Sequence, residues 1–392
     1  MELRPLLETM LETRASDLHV KVGASPLVRV DGSLFAIDMS DVPSQQDIEE
    51  WMAQLLTDRQ KQEFQDHREV DFSFGVAGLA RFRANAFFQR GTLAMAFRAI
   101  PVEIPPFEAL GLPVSVREQA FQPRGLVLVT GPTGVGKSTT LAALVDAVNR
   151  DMAKNVITIE DPIEFLHRDR MSCIHQREVG VDTHTFEEGL RHILRQDPDV
   201  ILVGEIRDRV TMETVLMASD TGHLVLSTLH TTDCLQTIQR IISFFPPHQH
   251  DEIRRSIANN LKAVICQRLI PKVGGGRVLA VEVLVNTPTV FDLILNPDKT
   301  HQLRQAMQDG VTQYGMQTFD QSVMALFRNG MIAEDDALKH CSNPSEFQLH
   351  LRGIQATSDR RWQPVDRGVL EHNTKPSSTG LGGGTNDWQV RE

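Results

Sequence analysis

Residues 131–138 read GPTGVGKS and have the residue types of a phosphate-binding loop. They follow the pattern of a glycine, four residues, and then Gly-Lys-Ser or Gly-Lys-Thr. Three glycines let the backbone curl with its N–H groups pointing inward, and Lys137 opens a helix whose N-terminus attracts negative charge. An apolar run precedes the loop, so strand, loop and helix come in the required order. The segment therefore predicts binding of a nucleoside triphosphate.

The side chains of this loop also indicate how the nucleotide is held. We expect Lys137 to reach the β- and γ-phosphates and the hydroxyl of Ser138 to hold Mg²⁺. ATP and Mg²⁺ are the expected substrate and cofactor. The residues assigned to nucleotide binding are Gly131, Pro132, Thr133, Gly134, Val135, Gly136, Lys137, Ser138 and Thr139.

Carboxylates follow two other apolar runs, where strands of a parallel sheet would present them to the ligand. The run 200–203 ends at Glu205, and we expect this strand to lie beside the phosphate loop and bring Glu205 to Mg²⁺ and the attacking water. Glu205 is therefore the candidate general base. The run 156–160 leads into Glu160 and Glu164, which are candidates to order Mg²⁺ or water. Helix capping and solvated charge remain the alternative for these two residues.

Two histidines bracket the strand predicted at residues 224–228. His230 lies past the carboxyl end of this strand, near the expected position of the γ-phosphate. It is a candidate to sense that phosphate and to couple its loss to motion. His223 precedes the strand, and a functional role and a packing role both remain open for it.

Three arginines, Arg81, Arg83 and Arg98, lie in predicted strands of the N-terminal region. Arg81 and Arg83 alternate with Phe82, so they share one face of a strand. One interpretation is a solvated surface. The other is positive charge supplied in trans to a neighbouring subunit's triphosphate, as arginine fingers do.

The composition narrows the class of protein. The 392 residues allow two or three domains, and 41% of them are apolar, which is enough to form real cores. The net charge of −11 argues against a protein that coats nucleic acid. No C-x-x-C pair occurs, so reduced, mostly buried thiols are expected rather than a zinc site or disulfides. The cysteines are Cys173, Cys234, Cys266 and Cys341.

The sequence also predicts the cellular compartment. No apolar run approaches the roughly 20 residues of a membrane span. The first five residues, MELRP, lack the charged-then-apolar build of a secretory signal. We therefore expect a cytoplasmic protein without direct membrane insertion.

The elements that position these residues fall into an N-terminal and a C-terminal part. Residues 1–100 have the pattern of an α+β domain, with an opening helix, a helix over 46–64 and several strands. The stretch 101–113 holds four prolines, a density that breaks regular structure and predicts a linker on which two domains move. The prolines are Pro101, Pro105, Pro106 and Pro113.

Residues 114–355 have the pattern of a second domain. Strands and helices alternate in its first half, which favours a parallel sheet flanked by helices. The region from residue 248 to about 343 is predicted to be helical, apart from a glycine turn and a short strand pair near 278–284. The last stretch, 356–392, is rich in Ser, Gly, Thr and Asn, and we expect a disordered tail.

Together these motifs resemble the type IV pilus retraction ATPases of the PilT/PilU family, within the secretion ATPase superfamily. The resemblance extends from about residue 15 to about 343. Besides the phosphate loop it rests on an acidic box at 157–165, a Walker-B-like ILVGEIRD at 201–208 and a histidine box at 221–231. It implies an N-terminal PAS-like α+β domain and a RecA-like ATPase core with a helical C-terminal part.

The resemblance also implies an activity and partners. Members of this type form homo-hexameric rings that hydrolyse ATP and pull a pilus into the inner membrane. The expected partners are a PilT-like motor and the platform protein at the inner-membrane pilus base. The residues that match functional positions of the family are the trans-acting arginines Arg81, Arg83 and Arg98, the catalytic Glu205, the acidic-box residues Glu160 and Glu164, the γ-phosphate-contacting His230 and the second histidine-box member His223.

Departures from the family pattern favour one branch. Assembly motors carry a tetracysteine zinc motif and an extra N-terminal domain. This sequence matches neither feature, so we expect the retraction branch. PilT-like chains have an AIRNLI-type signature where residues 289–294 read TVFDLI, and Phe291 stands at the arginine position. This resembles PilU-like accessory motors. The alternatives are an autonomous PilT-like motor, a scaffold subunit that stabilises a PilT ring, and a hexameric helicase, which the acidic balance disfavours.

Overall fold

The computed structural model describes residues 1–30, 33–39, 41–100 and 103–351. The tail predicted at 356–392 and Pro101 of the predicted linker lie outside these ranges. Within them the chain has a mixed α/β fold with two separate sheets, as the sequence predicts.

The N-terminal part (residues 1–100) is an antiparallel sheet with three helices. Its elements are α1 (Arg4–Glu12), β1 (Asp17–Lys21), β2 (Leu27–Val30), β3 (Ser33–Ala36), α2 (Gln45–Leu55), α3 (Asp58–His67), β4 (Glu69–Val76), β5 (Ala80–Gln89) and β6 (Thr92–Ile100). The strand order is β3-β2-β1-β6-β5-β4. Leu18, Phe82 and Phe97 are fully buried in the core beneath this sheet.

Two helices replace the one predicted over 46–64. Leu56 has an extended backbone, and the side chain of Thr57 accepts a hydrogen bond from the backbone N–H of Gln60, which starts α3 as a new helix. The reciprocal bond from Thr57 N–H to the Gln60 side chain completes a capping box. The capping box at Thr57 therefore starts a second helix within the segment that the apolar periodicity predicts as one helix.

The C-terminal part holds a seven-stranded sheet that carries the candidate site. Its strands are β7 (Gly125–Thr130), β8 (Asn155–Glu160), β9 (Cys173–Glu178), β10 (Val200–Val203), β11 (Leu224–Leu229), β12 (Leu261–Pro271) and β13 (Arg277–Val285). Their order is β13-β12-β7-β11-β10-β8-β9. All neighbours pair in parallel except β12 and β13. Every residue of β7, β10 and β11 is buried, as in a parallel sheet covered on both faces.

Twelve α-helices accompany this sheet in the described residues. They are α4 (Val114–Glu118), α5 (Lys137–Asp151), α6 (Phe186–Ile193), α7 (Arg209–Asp220), α8 (Cys234–Ser243), α9 (His250–Asn260), α10 (Pro288–Leu295), α11 (Leu303–Asp309), α12 (Val311–Tyr314), α13 (Phe319–Arg328), α14 (Glu334–His340) and α15 (Pro344–Leu351). Over the described ranges, no helix combines the length and apolar character needed to cross a bilayer.

The prediction of a helical region from residue 248 to about 343 is wrong for β12. This strand spans Leu261–Pro271 and lies between β7 and β13. Most of its residues are buried, so the apolar pattern does not alternate. Without alternation, a central strand and a buried helix segment look alike in sequence. The expected position of the Glu205 strand is wrong as well, because β11 lies between β10 and the loop strand β7.

Candidate functional site

The predicted phosphate loop joins β7 to α5 at the carboxyl edge of the parallel strands. Gly131, Gly134 and Gly136 have φ angles of 140°, 80° and 93°, which side chains rarely tolerate. A Cβ at Gly131 would come within 2.6 Å of the Gln267 carbonyl oxygen. The glycines therefore permit the backbone conformation of the loop. This conformation leaves the N-terminus of the 15-residue helix α5 open to an anion.

Lys137 lies inside this loop and is only 9% exposed. Its Nζ donates to the carbonyl oxygens of Gly131 and Pro132, at 2.8 and 3.1 Å. Burial lowers the pKa of Lys137, and the nearby carboxylates of Glu205 and Glu164 oppose that shift. An ammonium whose closest partners are neutral carbonyls gains a stronger, charge-assisted bond when a phosphate oxygen arrives.

A cleft of about 670 Å³ opens beside the loop and is lined by both sheets of the chain. The predicted site residues that line it are Thr133, Gly134, Gly136, Lys137, Ser138, Thr139, Glu160, Glu164, Glu205, His230, Arg83 and Arg98. Gly131 and Pro132 contribute carbonyls beneath Lys137 instead, and Val135 is buried under the loop. One concave site therefore contains most of the residues that the sequence singles out.

Glu205 follows β10 and points into this cleft. Its carboxylate is ion-paired with Arg207, and its Oε2 lies 3.1 Å from Nε2 of His230. Burial alone would raise the pKa of Glu205, but the hydrogen bonds from Arg207 and His230 outweigh burial and hold the pKa below its usual value. The carboxylate is therefore ionised at neutral pH, the state that a general base requires.

Glu160 and Glu164 form the second acidic element of the cleft. Glu160 ends β8, and its Oε1 accepts hydrogen bonds from the Thr158 hydroxyl at 2.7 Å and from Nε2 of Gln176 at 3.2 Å. Burial raises the pKa of Glu160, and these bonds oppose that shift. The backbone N–H of Gly204 donates to the Ile159 carbonyl at 2.8 Å. This bond fixes the two acidic strand ends side by side.

The strand order explains the position of His230. Because β11 separates β7 from β10, its carboxyl end falls between the phosphate loop and Glu205. Nδ1 of His230 lies 3.4 Å from Nζ of Lys137, while Nε2 faces Glu205. One imidazole thus bridges the phosphate-binding ammonium and the candidate base. This arrangement suits a sensor of the γ-phosphate.

His223 lies at the opposite edge of the sheet. Its Nδ1 is 3.0 Å from the Ala218 carbonyl oxygen at the end of α7, and 3.3 Å from the Thr221 hydroxyl. Strand β11 separates it from His230 by roughly 20 Å, at about 3.3 Å per residue. Because a strand places its two ends at opposite edges of the sheet, the position of His223 favours the packing role that the sequence left open.

The two histidines provide a matched comparison. We expect His230→Ala to lower the kcat of ATP hydrolysis by about tenfold or more, because Glu205 and Lys137 lose their common partner. His223→Ala removes the same side chain from the same strand's other end and should have a smaller effect. Steady-state ATP turnover of the purified variants measures both values. Equal losses in the two variants would contradict this assignment.

Arg83 and Arg98 reach the cleft from the N-terminal part of the same chain. They are direct cross-strand partners on β5 and β6. Like charges at such a position repel each other, and an anion between them relieves the repulsion. Asp17 holds Arg98, with 2.9 Å between Nε and Oδ1. The pair is thus suited to bind phosphate oxygens on the side of the cleft opposite Lys137.

The expectation that three arginines act in trans stays a prediction, but the geometry within one chain favours a role in cis for two of them. The N-terminal part packs over the carboxyl edge of the second sheet, so Arg83 and Arg98 line the cleft of their own chain. Arg81 turns away from the cleft. Its Nη2 pairs with Glu178 at 2.9 Å and donates to the Ser73 hydroxyl at 2.7 Å. Arg81 therefore secures the contact between the two parts.

Two site residues escape the sequence reasoning. Arg207 follows Glu205 by two residues, and this short spacing was the available signal for their ion pair. Glu178 ends β9, a partly exposed edge strand without an apolar run. Nothing in its local sequence distinguishes it from a surface glutamate.

The cleft fits a magnesium nucleotide. Mg²⁺ prefers oxygen ligands, and the hydroxyl of Ser138 and the carboxylates of Glu160 and Glu205 supply them beside the phosphate loop. When bound, Mg²⁺ would neutralise charge on the phosphates. A triphosphate bound here can make further contacts to its phosphates. The backbone N–H groups of the glycine-rich loop, the ammonium of Lys137 and the facing arginines provide them.

Comparisons with known proteins agree with this chemistry. The family described as "Type II/IV secretion system protein" matches residues 112–275. The chain is 43% identical to the type IV pilus retraction ATPase PilT of Pseudomonas aeruginosa, over 88% of this chain and 100% of that protein. It is 38% identical to the type IV pilus ATPase PilU of the same organism, over 92% and 94%. A crystal structure of the pilus retraction motor PilT with bound ADP aligns with a TM-score of 0.82 at 43% identity, covering 88% of this chain and 98% of that one.

Proposed function

Because the chain belongs to the PilT/PilU family of pilus ATPases, we propose that it is a motor subunit that hydrolyses ATP to support retraction of a type IV pilus. The observation that carries this proposal is the single cleft in which Lys137, Glu205 and the pair Arg83 and Arg98 converge. A relative named as a pilus retraction ATPase aligns over its whole length, so the likeness is not confined to the phosphate loop.

The geometry suggests a role for each residue in ATP binding and hydrolysis. Lys137 and the N–H groups of α5 bind the phosphates, and Ser138 binds the accompanying Mg²⁺. Glu205 accepts a proton from the attacking water. Arg207 and His230 each contact one of its oxygens here, and release of either partner would make the carboxylate a stronger base toward water. We propose that this release accompanies closure of the cleft on ATP.

The motor cycle follows from the two-part cleft. Arg83 and Arg98 are drawn toward the phosphates, so ATP favours closure of the N-terminal part and product release favours opening. Phe107 and Leu112 of the predicted linker are buried in the core of the C-terminal part, so we propose that residues 103–106 of the linker absorb this motion. We propose that the chain works as a homo-hexamer at the cytoplasmic face of the inner-membrane pilus base. Successive closures around such a ring would act on the platform protein.

We further propose that the chain acts as a PilU-like accessory to a PilT-like motor. Identity does not separate the two branches, because it is higher to PilT while the alignment to PilU covers more of this chain. Phe291 supports the accessory role. It lies on α10 and packs against the core, so this position offers an apolar ring where the resemblance calls for an arginine.

Retraction of fluorescently labelled pili in living cells tests this function. In cells lacking all retraction motors, we expect the chain alone to give no retraction, and to increase it when a PilT-like motor is present. Retraction by the chain alone would instead support the autonomous motor. If Glu205→Gln supported the PilT-like motor as well as the unaltered chain, the scaffold role would be correct. Absence of any effect on pili would contradict the proposal.

A further inference from the structure

We propose that Glu178 is a positioning residue that couples closure of the N-terminal part to the acidic loop of the cleft. The acidic loop is defined here as residues 160–165, which carry Glu160 and Glu164. The inference rests on ATP hydrolysis in this cleft and does not depend on what the motor pulls.

The position of Glu178 places it level with the nucleotide site. It is the last residue of β9, and its parallel partner on β8 is Glu160. Its side chain is only 4% exposed. Removing one partner from a buried ion pair leaves a charge that the interior does not solvate, so the pairing of Glu178 strongly constrains its surroundings.

The carboxylate of Glu178 receives donors from both parts of the chain. Arg81 on β5 pairs with Oε2 at 2.9 Å, and the Ser73 hydroxyl on β4 donates to Oε1. From the other side, the backbone N–H of Ile163 donates to Oε2 at 3.2 Å. Ile163 lies in the acidic loop, between Glu160 and Glu164. One buried group therefore joins the N-terminal sheet directly to the loop that carries the candidate Mg²⁺ ligands.

The same strand links this junction to Arg83, which lines the cleft together with Arg98. Arg81 and Arg83 lie two residues apart on β5 and share one face of the strand. When Glu178 holds Arg81, it also sets how far Arg83 extends into the cleft. Departure of the N-terminal part would strip Glu178 of Arg81 and Ser73 together. The free energy needed to bury an unpaired carboxylate disfavours half-closed positions. Closure of the N-terminal part and ordering of the acidic loop are therefore coupled.

The same interface provides a matched control. Arg59 on α3 donates from Nη2 to the Gly180 carbonyl oxygen at 2.7 Å, two residues beyond Glu178. This contact also crosses between the two parts and also uses a guanidinium. It does not touch Glu178 or the acidic loop. Loss of Arg59 weakens the interface without removing the coupling.

Hydrogen–deuterium exchange of the full chain without nucleotide tests this coupling. We expect Arg81→Ala to speed exchange in the peptide spanning the acidic loop by about tenfold, although the change is in the other part of the chain. Glu178→Gln should do the same, and Arg81→Lys should retain most of the protection. Arg59→Ala should leave this peptide unchanged. An unchanged acidic loop in Arg81→Ala, or an equal increase in Arg59→Ala, would overturn the proposal.

Turnover provides a second readout that general destabilisation would not reproduce. We expect Arg81→Ala to lower kcat by about tenfold and to change the KM for ATP by less than about threefold, because the acidic loop is misplaced after ATP has bound. The double variant Arg81→Ala/Glu178→Gln should be no worse than either single one. Additive losses would contradict a shared role. Since exchange is measured without ATP or pili, failure of this coupling is distinguishable from failure of the motor function.

Discussion

Replacing Lys137 with alanine is expected to lower ATP turnover by about 10²–10³-fold, and to weaken ATP binding as well. The ammonium is the one buried cation within the loop, and its present partners are two backbone carbonyls and His230. Without it, the charge of the β- and γ-phosphates is met on the loop side by N–H groups and by the Mg²⁺ expected at Ser138. Steady-state phosphate release and binding of a fluorescent ATP analogue measure the two losses.

A lysine elsewhere on the same sheet serves as the control for this variant. Lys154 pairs with Asp199 at 2.7 Å, before the start of β8 and away from the cleft. Lys154→Ala removes an equal charge and should leave turnover close to that of the unaltered chain. If Lys137→Ala retained normal turnover and binding, the phosphate-loop assignment would be wrong.

Replacing Glu205 with glutamine should separate binding from hydrolysis. The amide keeps the shape of the side chain but cannot accept the proton of the attacking water, so we expect turnover to fall about 10²–10⁴-fold while ATP still binds. Single-turnover hydrolysis and equilibrium binding together give this result. Glu187→Gln, on the exposed face of α6, is the matched control. Equal loss of binding and turnover would show that Glu205 holds the nucleotide and does not activate water.

The lowered pKa of Glu205 adds a pH dependence to this prediction. A carboxylate with a lowered pKa stays ionised until the pH falls below the usual glutamate value of about 4.3. We therefore expect the Glu205-dependent part of turnover to survive mild acidification, and to be lost only as the pH drops through that lowered value. In His230→Ala one of the two lowering hydrogen bonds is absent. The acidic limb of its pH profile should move upward.

The apolar strands of the second sheet were predictable, and β13 coincides with the strand pair predicted near 278–284, whereas β9 and β12 were not predicted. The runs that form β7, β8, β10 and β11 are continuous and bounded by polar turns, so their type is evident. β9 is a polar edge strand and gives no such signal. β12 is central and buried, so its apolar residues do not alternate with polar ones. For this reason the sequence predicts a helix for this segment. Strand order is set by long-range pairing, which explains why β11 was not expected between β7 and β10.

The same distinction holds for the site. The carboxyl-edge rule for parallel strands places Glu160, Glu205 and His230 correctly, since each follows its own strand. It also implies that His223, which precedes β11, belongs at the other edge. The positions of the arginines relative to the cleft depend on how the N-terminal part packs against the second sheet. No local spacing records that packing, and for this reason neither the route of Arg83 within one chain nor the role of Glu178 was visible.

The central claim is that one chain supplies both sides of its nucleotide cleft, and mixed assemblies test it most directly. One partner carries Lys137→Ala and the other carries Arg83→Ala together with Arg98→Ala. Mixing the unaltered chain with Lys137→Ala serves as the control for exchange of subunits. If the arginines act within their own chain, every cleft in the mixture is damaged, and ATP turnover should equal the sum of the separate preparations. Turnover clearly above that sum would show that the arginines come from a neighbouring subunit, and would contradict this account.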